Sequence, residues 1–99
     1  DEAAGPIAGT HRGVDAVLEM LGRGMEAFEG TLTQEVHETL ASDEYVVEIM
    51  TERATVKGHE FENRAVYVYR LENGLVVEVT TFDRDRETAR EFWAAVAAT

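Results

Sequence analysis

Four segments rich in β-branched and aromatic residues follow one another after Gly30, with only short turns between them. They are Thr33–Leu40, Tyr45–Val56, Glu60–Leu71 and Leu75–Asp83. Lys57-Gly58 and Asn73-Gly74 supply a glycine for the positive φ that tight hairpin turns require. A parallel crossover needs a dozen or more residues, so strands joined by turns this short pair antiparallel. The sequence therefore predicts a four-stranded antiparallel meander.

The segment before the meander has the spacing of an amphipathic helix that begins at Gly13. Its apolar residues recur at i, i+3, i+4 and i+7, which places them on one helix face. They are Val14, Val17, Leu18, Leu21, Met25 and Phe28. Gly22 and Gly24 lower the helix propensity inside this pattern. We therefore expect the helix to fray or end between Gly22 and Glu29.

A second helix is predicted from about Arg86 to Ala97, with either Asp83 or Asp85 placed to cap its N-terminus. An antiparallel meander flanked by helices, without parallel crossovers, belongs to the α+β class. The sheet must bury one face, and the two helices are the available cover. We expect a curved four-stranded sheet with helices packed on one face.

Composition excludes several classes of function. The chain of 99 residues has 20 acidic and 9 basic side chains, a net charge of −11, which disfavours nucleic acids and anionic membranes. It has no cysteine, so disulfides and thiolate nucleophiles are excluded. No apolar run approaches the roughly 18 residues of a membrane span. Without a paired-histidine motif or a glycine-rich phosphate loop, we expect no metal, no cofactor and a cytoplasmic protein.

The register of the hairpins decides which side chains share a sheet face. We interpret Glu72-Asn73-Gly74 and Val56-Lys57-Gly58 as three-residue loops. This register puts the odd-numbered residues of the last three strands on one face, which is mostly apolar. The polar groups predicted on that face are Glu38, Thr51, Arg53, Asn63, Tyr67, Thr81 and Asp83.

The opposite face of the predicted sheet is amphipathic and carries Met50, Val66, Val68, Val76 and Phe82. Helices that cover one face of a sheet cannot also cover the other. The simplest cover for this outer face is a second copy of the same sheet. The sequence therefore predicts a homodimer formed through the outer sheet face.

Three stretches of the sequence resemble one known family. Residues 5–17, Gly-Pro-Ile-Ala-Gly-Thr-His-Arg-Gly-Val-Asp-Ala-Val, resemble the entry into the pocket helix of SnoaL-like proteins. The hairpin Tyr-Arg-Leu-Glu-Asn-Gly-Leu-Val-Val-Glu and the ending Thr-Phe-Asp-Arg-Asp look like the last strands of that family. The family belongs to the nuclear transport factor 2-like superfamily, with ketosteroid isomerases and polyketide cyclases. The resemblance implies a cystatin-like cone around a ligand pocket.

Members of that family carry two more helices and a strand before the segment that matches Gly5. We therefore expect residues 1–99 to form a single SnoaL-like domain that is incomplete at its N-terminus. The resemblance implies a protein that binds a small hydrophobic molecule. If it is an enzyme, the expected chemistry is cofactor-independent isomerisation, cyclisation or dehydration of a carbonyl compound. The alternative is a non-enzymatic dimerisation or ligand-binding module on the same fold.

Asp83 and Tyr67 are the main catalytic candidates. Asp83 falls near the late-strand acid of some SnoaL-like cyclases, and a carboxylate in an apolar pocket can abstract a proton next to a carbonyl. Its alternative role is to cap the last helix. Tyr67 is a candidate oxyanion donor, or else a buried tyrosine hydrogen-bonded within the core. His11, near the expected pocket mouth, is a candidate for proton transfer or a surface residue.

The remaining candidates are ligand contacts. Arg53 and Asn63 are placed to orient a polar end of the ligand, although Arg53 equally suits an ion pair with a surface glutamate. The expected lining also includes Val47, Ile49, Ala65, Tyr69, Val79 and Thr81 from the sheet, with Leu18 and Leu21 from the helix.

Overall fold

The computed structural model describes residue 5 and residues 7–99, and this part of the chain forms five strands and two helices. The elements are β1 (Gly9–Arg12), α1 (Val14–Ala27), β2 (Thr33–Ala41), β3 (Tyr45–Val56), β4 (His59–Glu72), β5 (Leu75–Asp83) and α2 (Arg86–Ala97). The strands form one antiparallel sheet in the order β1-β5-β4-β3-β2. The predicted α+β class is confirmed. The sheet has five strands, because residues 9–12 pair with β5 and add an edge strand to the meander.

Both long hairpins turn on two residues, so the predicted three-residue loops are wrong. Lys57 and Gly58 have φ values of 50° and 81°, and Asn73 and Gly74 have 52° and 78°. Two consecutive residues with positive φ form a type I′ turn, whose twist matches that of the flanking strands. A loop shortened by one residue changes the strand register, and with it the face on which each side chain lies.

The β3–β4 register is shifted by one residue from the prediction. Met50 lies opposite Ala65 and Glu52 lies opposite Asn63. The shift exchanges the two faces of β3, so the predicted lining residues Val47, Ile49 and Arg53 lie on the other side of the sheet. The even-numbered residues of β3 take their place.

Two bulges adjust the other pairings. In β5 the register shifts at Val77. Tyr67 therefore lies opposite Thr81, but Tyr67 and Val79 both stay on the face that the sequence predicts for them. In β2 the register shifts at His37, so that Val36 lies opposite Met50 on one face. Leu40, which precedes the next turn, lies opposite Val47 on the other face. Val36 and Leu40, both even-numbered, therefore lie on opposite faces of β2.

Both helices pack on one face of the sheet, as predicted. We call it the helix-covered face; its buried residues are Met50, Ala54, Val56, Phe61, Ala65, Tyr67 and Val79. Ala89, Phe92 and Val96 of α2 pack on one end of it, and Met20 of α1 packs on the other. The opposite face, which we call the outer face, carries Val47, Ile49, Val66, Val68 and Phe82.

α1 buries a narrower stripe than its sequence suggests. Met20, Gly24 and Phe28, spaced by four residues, are buried against the sheet. A Cβ at Gly24 would lie 3.0 Å from Ile7 Cγ2, so the glycine permits close approach of the helix. The predicted stripe residues Val14, Leu18, Leu21 and Met25 are instead 50–72% exposed. In the part of the chain that the structure describes, no helix combines the length and hydropathy needed to cross a bilayer.

Candidate active site

A cavity of about 450 Å³ lies between α1 and the helix-covered face. This volume falls in the range of small-molecule sites in proteins. Most of its lining is apolar, and it comes from α1 (Val17, Met20, Leu21, Met25), β4 (Tyr67, Tyr69) and β5 (Val76, Val79). Leu21 and Met25 line the cavity yet are 53% and 72% exposed, so it opens to solvent beside α1.

A buried carboxylate, that of Glu52, lies behind Tyr67 in the wall of the cavity. Glu52 is only 3% exposed, and two side chains donate hydrogen bonds to its Oε2. The donors are Tyr67 Oη, at 2.7 Å, and Gln34 Nε2, at 3.0 Å. Burial and the negative charge of Glu52 raise the pKa of Tyr67, so its hydroxyl stays protonated at neutral pH. These donors satisfy an acid whose burial would otherwise be costly.

Asp83 lies in a narrow recess beside this carboxylate. The recess has a volume of about 10 Å³, close to that of one water molecule, and it shares Ile7, Phe28 and Tyr67 with the large cavity. Burial, together with the charge of Glu52, raises the pKa of Asp83 to about 6, against a smaller opposing effect of Arg86. A carboxylate that titrates near neutral pH is suited to general acid–base catalysis.

The cap of α2 is Asp85 and not Asp83, which settles the alternative that the sequence left open. Asp85 accepts from the Thr88 backbone N–H at 3.1 Å and from the Thr88 hydroxyl at 2.8 Å. These bonds lower the pKa of Asp85. Asn63 donates from Nδ2 to the Asp85 carbonyl at 2.8 Å, so its amide holds the start of α2. The prediction that Asn63 orients a ligand has no support in this geometry.

Several predicted contacts do lie at the cavity or the recess. Tyr69, Val79 and Leu21 line the cavity, and Ala65 is buried in the same apolar cluster. Thr81 lines the recess and donates from its hydroxyl to the Ile7 carbonyl at 2.8 Å.

Other candidates lie elsewhere. Leu18 is 60% exposed and is not part of the cavity lining. His11 Nε2 lies 3.1 Å from the Ile7 carbonyl, and the ring lines neither the cavity nor the recess. Arg53 is on the outer face, where it pairs with Glu35 at 3.0 Å and Glu62 at 2.7 Å. The ion-pair alternative for Arg53 is therefore the one the structure shows.

Sequence reasoning missed Glu52 and Gln34, because the assumed register placed Glu52 on the outer face. The sequence signal that could have found Glu52 is Lys57-Gly58. If these two residues form the whole turn, Val56 pairs with His59. The antiparallel register then pairs Glu52 with Asn63 and puts Glu52 on the helix-covered face. Among residue 5 and residues 7–99, no three His, Asp or Glu side chains lie close enough to hold a metal ion.

Comparisons with known proteins give a consistent relationship. A family model described as a SnoaL-like domain matches residues 2–79. An uncharacterized protein of Mycobacterium tuberculosis is 29% identical over 89 residues, which is 89% of this chain and 68% of the relative.

Solved structures extend this relationship. Bal32a, from a soil-derived mobile gene cassette, superposes with a TM-score of 0.74 at 26% identity over 84% of this chain. A Xanthomonas campestris protein with a cystatin-like fold superposes with a TM-score of 0.70 at 31% identity, also over 84% of this chain. The chain spans 64% and 65% of those two chains, less than two thirds of their length. A putative polyketide cyclase of Acidithiobacillus ferrooxidans shares the fold at 15% identity and a TM-score of 0.65.

We predict that D83N stabilises the protein above pH 6 and not below about pH 4. The pKa of Asp83 is raised from 3.8 to about 6 in the folded state. Between these two pH values the unfolded chain binds fewer protons than the folded chain, so the free energy of unfolding of the wild type falls as the pH rises. Removing the charge should add about 1–2 kcal/mol to the free energy of unfolding near pH 7.5, allowing for solvent screening. Urea unfolding at both pH values measures the effect. D43N, in an exposed turn, is the control; an equal gain in both variants at both pH values would contradict the assignment.

Proposed function

The chain belongs to the SnoaL-like domain family, and from this premise we propose that it binds a small hydrophobic molecule in the cavity between α1 and the sheet. The observation that supports the proposal is an apolar cavity of about 450 Å³ that adjoins a recess with two carboxylates. Apolar walls with a few convergent polar groups are typical of ligand sites. The names of two structural neighbours, putative polyketide cyclases, agree with a ligand of this kind.

We further propose that Asp83 is the base of a cofactor-independent reaction on a carbonyl compound, an isomerisation, cyclisation or dehydration. The recess has room for about one water molecule, so in this proposal Asp83 takes the proton from the ligand through one water, a separation at which general bases still act. Glu52, fixed by its two donors, lies close enough to help raise the pKa of Asp83, after burial as the larger cause. Tyr67 would act as an oxyanion donor only by turning its hydroxyl away from Glu52.

Proton abstraction is tested by deuterium uptake at the carbon next to the carbonyl of 2-tetralone in D2O, followed by NMR. The wild-type chain should accelerate uptake, and D83N should lower the catalysed rate by about 100-fold, since it removes the base. D43N should exchange at the wild-type rate. Catalysis that is unchanged in D83N would rule out Asp83 as the base.

A second candidate function is non-enzymatic ligand binding, and the open mouth of the cavity favours it. Leu21 and Met25 leave the cavity in contact with solvent beside α1. Acid–base catalysis gains from excluding water, whereas binding of an apolar molecule needs only a complementary wall. No acceleration by the wild-type chain, combined with saturable binding of 2-tetralone, would favour this second function.

Binding in this cavity is tested with L21W and the matched control L18W. Leu21 lines the cavity, whereas Leu18, nearly one turn earlier on the exposed side of α1, does not. The larger side chain at position 21 should fill part of the cavity and weaken binding of 2-tetralone by about tenfold or more, the equivalent of about 1.4 kcal/mol. L18W should bind like the wild type in an NMR titration. Equal loss in both variants would place the ligand outside the cavity.

We also propose that a second copy of the chain covers the outer face. Phe82 and Leu40 on this face are 55% and 54% exposed, and a groove of about 390 Å³ runs past Ile49, Val66 and Phe82. With a net charge of −11, two copies repel each other over most of their surfaces. The outer face and its edge carry Arg12, Arg53, Arg64, Arg70 and Arg84, and three of these pair with glutamates of the same face, so the opposite charges largely cancel there. This face is therefore where like copies approach at least electrostatic cost.

The dimer is tested by light scattering with size exclusion. The wild-type chain should elute with twice the mass of one chain, and F82D should elute as a monomer, because it buries a charge in the apolar centre of the interface. L75D, at the β4–β5 turn and 64% exposed in the wild type, should stay dimeric. A monomeric wild-type chain at millimolar concentration would contradict the proposal.

A further inference from the structure

Two neighbouring arginines on the outer face have no acidic partner. Arg64 and Arg84 both line the groove of this face and are exposed. The Arg84 backbone N–H donates to the Arg64 carbonyl at 2.8 Å, so the pairing of β4 with β5 continues past Asp83 and sets the two arginines side by side. In the part of the chain that the structure describes, neither guanidinium forms an ion pair, whereas the other three arginines of this face each pair with a glutamate.

The unmatched charge of these arginines is notable in so acidic a chain, which has 20 acidic and 9 basic side chains. Like charges directly opposite each other on two strands repel, and this repulsion destabilises the sheet unless an anion compensates it. Asp83 borders the same groove, but it also lies in the recess on the helix-covered face and pairs with neither arginine. The arginines therefore present two positive charges to whatever covers the groove.

An exposed glutamate without a cation lies in the neighbouring row of the outer face. Glu38 lies opposite Ile49, and the row continues across the sheet through Val66 and Phe82. We call Ile49, Val66 and Phe82 the apolar row. Among the residues that the structure describes, Glu38 forms no ion pair. The apolar row thus has an unpaired acid at its β2 end, and two unpaired arginines lie beside its β4 and β5 positions.

We propose that in the dimer Glu38 of one copy forms ion pairs with Arg64 and Arg84 of the other copy. The inference rests on the proposed dimer and names the contacts that orient it. A two-fold interface is self-complementary: when one residue contacts a second across it, the second contacts the first in return. Each glutamate therefore meets one pair of arginines, and the apolar rows of the two copies pack between the two clusters of charge.

The layout of the sheet allows this pairing. β2 and β4 are two strand spacings apart, about 10 Å, so a two-fold axis halfway between Glu38 and Arg64 passes between β3 and β4, close to Ile49 and Val66. Two sheets that pack face to face are also about 10 Å apart, a gap that a glutamate and an arginine reach across from opposite sides. One arrangement therefore buries the apolar centre and neutralises both arginines.

Glu60 is also exposed on the outer face without an ion pair among the described residues, but it does not fit the arginines in the same way. It lies on the same strand as Arg64, so an axis halfway between the two crosses β4 near Glu62, away from the apolar row. Such a dimer would leave the apolar row uncovered. Glu60 is therefore the matched control for Glu38.

Sedimentation equilibrium of E38R, R84E, the double variant and E60R tests the pairing. E38R makes each copy two charges less negative, which by itself weakens the repulsion between copies. Because the new positive charge faces two arginines, we expect the opposite result, a dimer Kd raised about tenfold or more. R84E should also raise it. The double variant has the net charge of the wild type with the signs of the pair exchanged, so its Kd should return to within about threefold of the wild-type value.

E60R gains the same charge as E38R at a distance from the contact, so it should dimerise at least as tightly as the wild type. Far-ultraviolet circular dichroism checks that these exposed substitutions leave the fold intact. Weaker association of E38R and R84E, restored in the double variant and absent in E60R, supports the ion pairs. A dimer that E38R leaves as tight as the wild type overturns them, as does a double variant that is as weak as R84E; either result leaves the dimer itself in place.

A wild-type chain that stays monomeric at millimolar concentration overturns the dimer and the ion pairs together. An NMR titration of that monomer with 2-naphthoate, an apolar carboxylate, then shows whether the groove takes an anionic ligand in place of a second copy. Binding that is lost in R84E and kept in E60R would assign the two arginines to such a ligand.

Discussion

The β3–β4 register, set by the two-residue turn at Lys57-Gly58, is the constraint on which the rest of this structure depends. Two positive φ values place Val56 opposite His59, and every pairing along the longest hairpin follows from that. With one residue more in the loop, β3 would present Val47 and Ile49 to the helices and Glu52 to the outer face. The recess would then have no second carboxylate beside Asp83.

Glu52 determines the electrostatics of the site. Its charge is buried in a chain that is already strongly acidic, and Tyr67 and Gln34 compensate it by donating to the same oxygen. The same charge helps raise the pKa of Asp83 to about 6. The recess beside the cavity therefore combines a carboxylate held in place with one that changes its protonation near neutral pH, an arrangement that suits proton transfer.

The position of α1 determines access to the site. Gly24 brings the helix close to Ile7, and Met20 and Phe28 bury the side that faces the sheet. The neighbouring row through Leu21 and Met25 stays exposed at the mouth of the cavity. The two proposed functions differ in what they need from this mouth, since catalysis benefits when water is kept out and binding does not require it.

Local signals in the sequence determined the meander, the limits of α2 and the presence of a capping aspartate. They suffice for these elements because turn chemistry, helix periodicity and capping act over a few residues. Together with the family resemblance, they made Asp83 and Tyr67 candidates for the site. Lys57-Gly58 fits a loop of two or three residues, so only the tertiary structure decided which face β3 presents. The bulges at His37 and Val77 likewise depend on packing across the sheet. The Tyr67–Glu52 bond joins residues 15 positions apart, and no local pattern specifies such a contact.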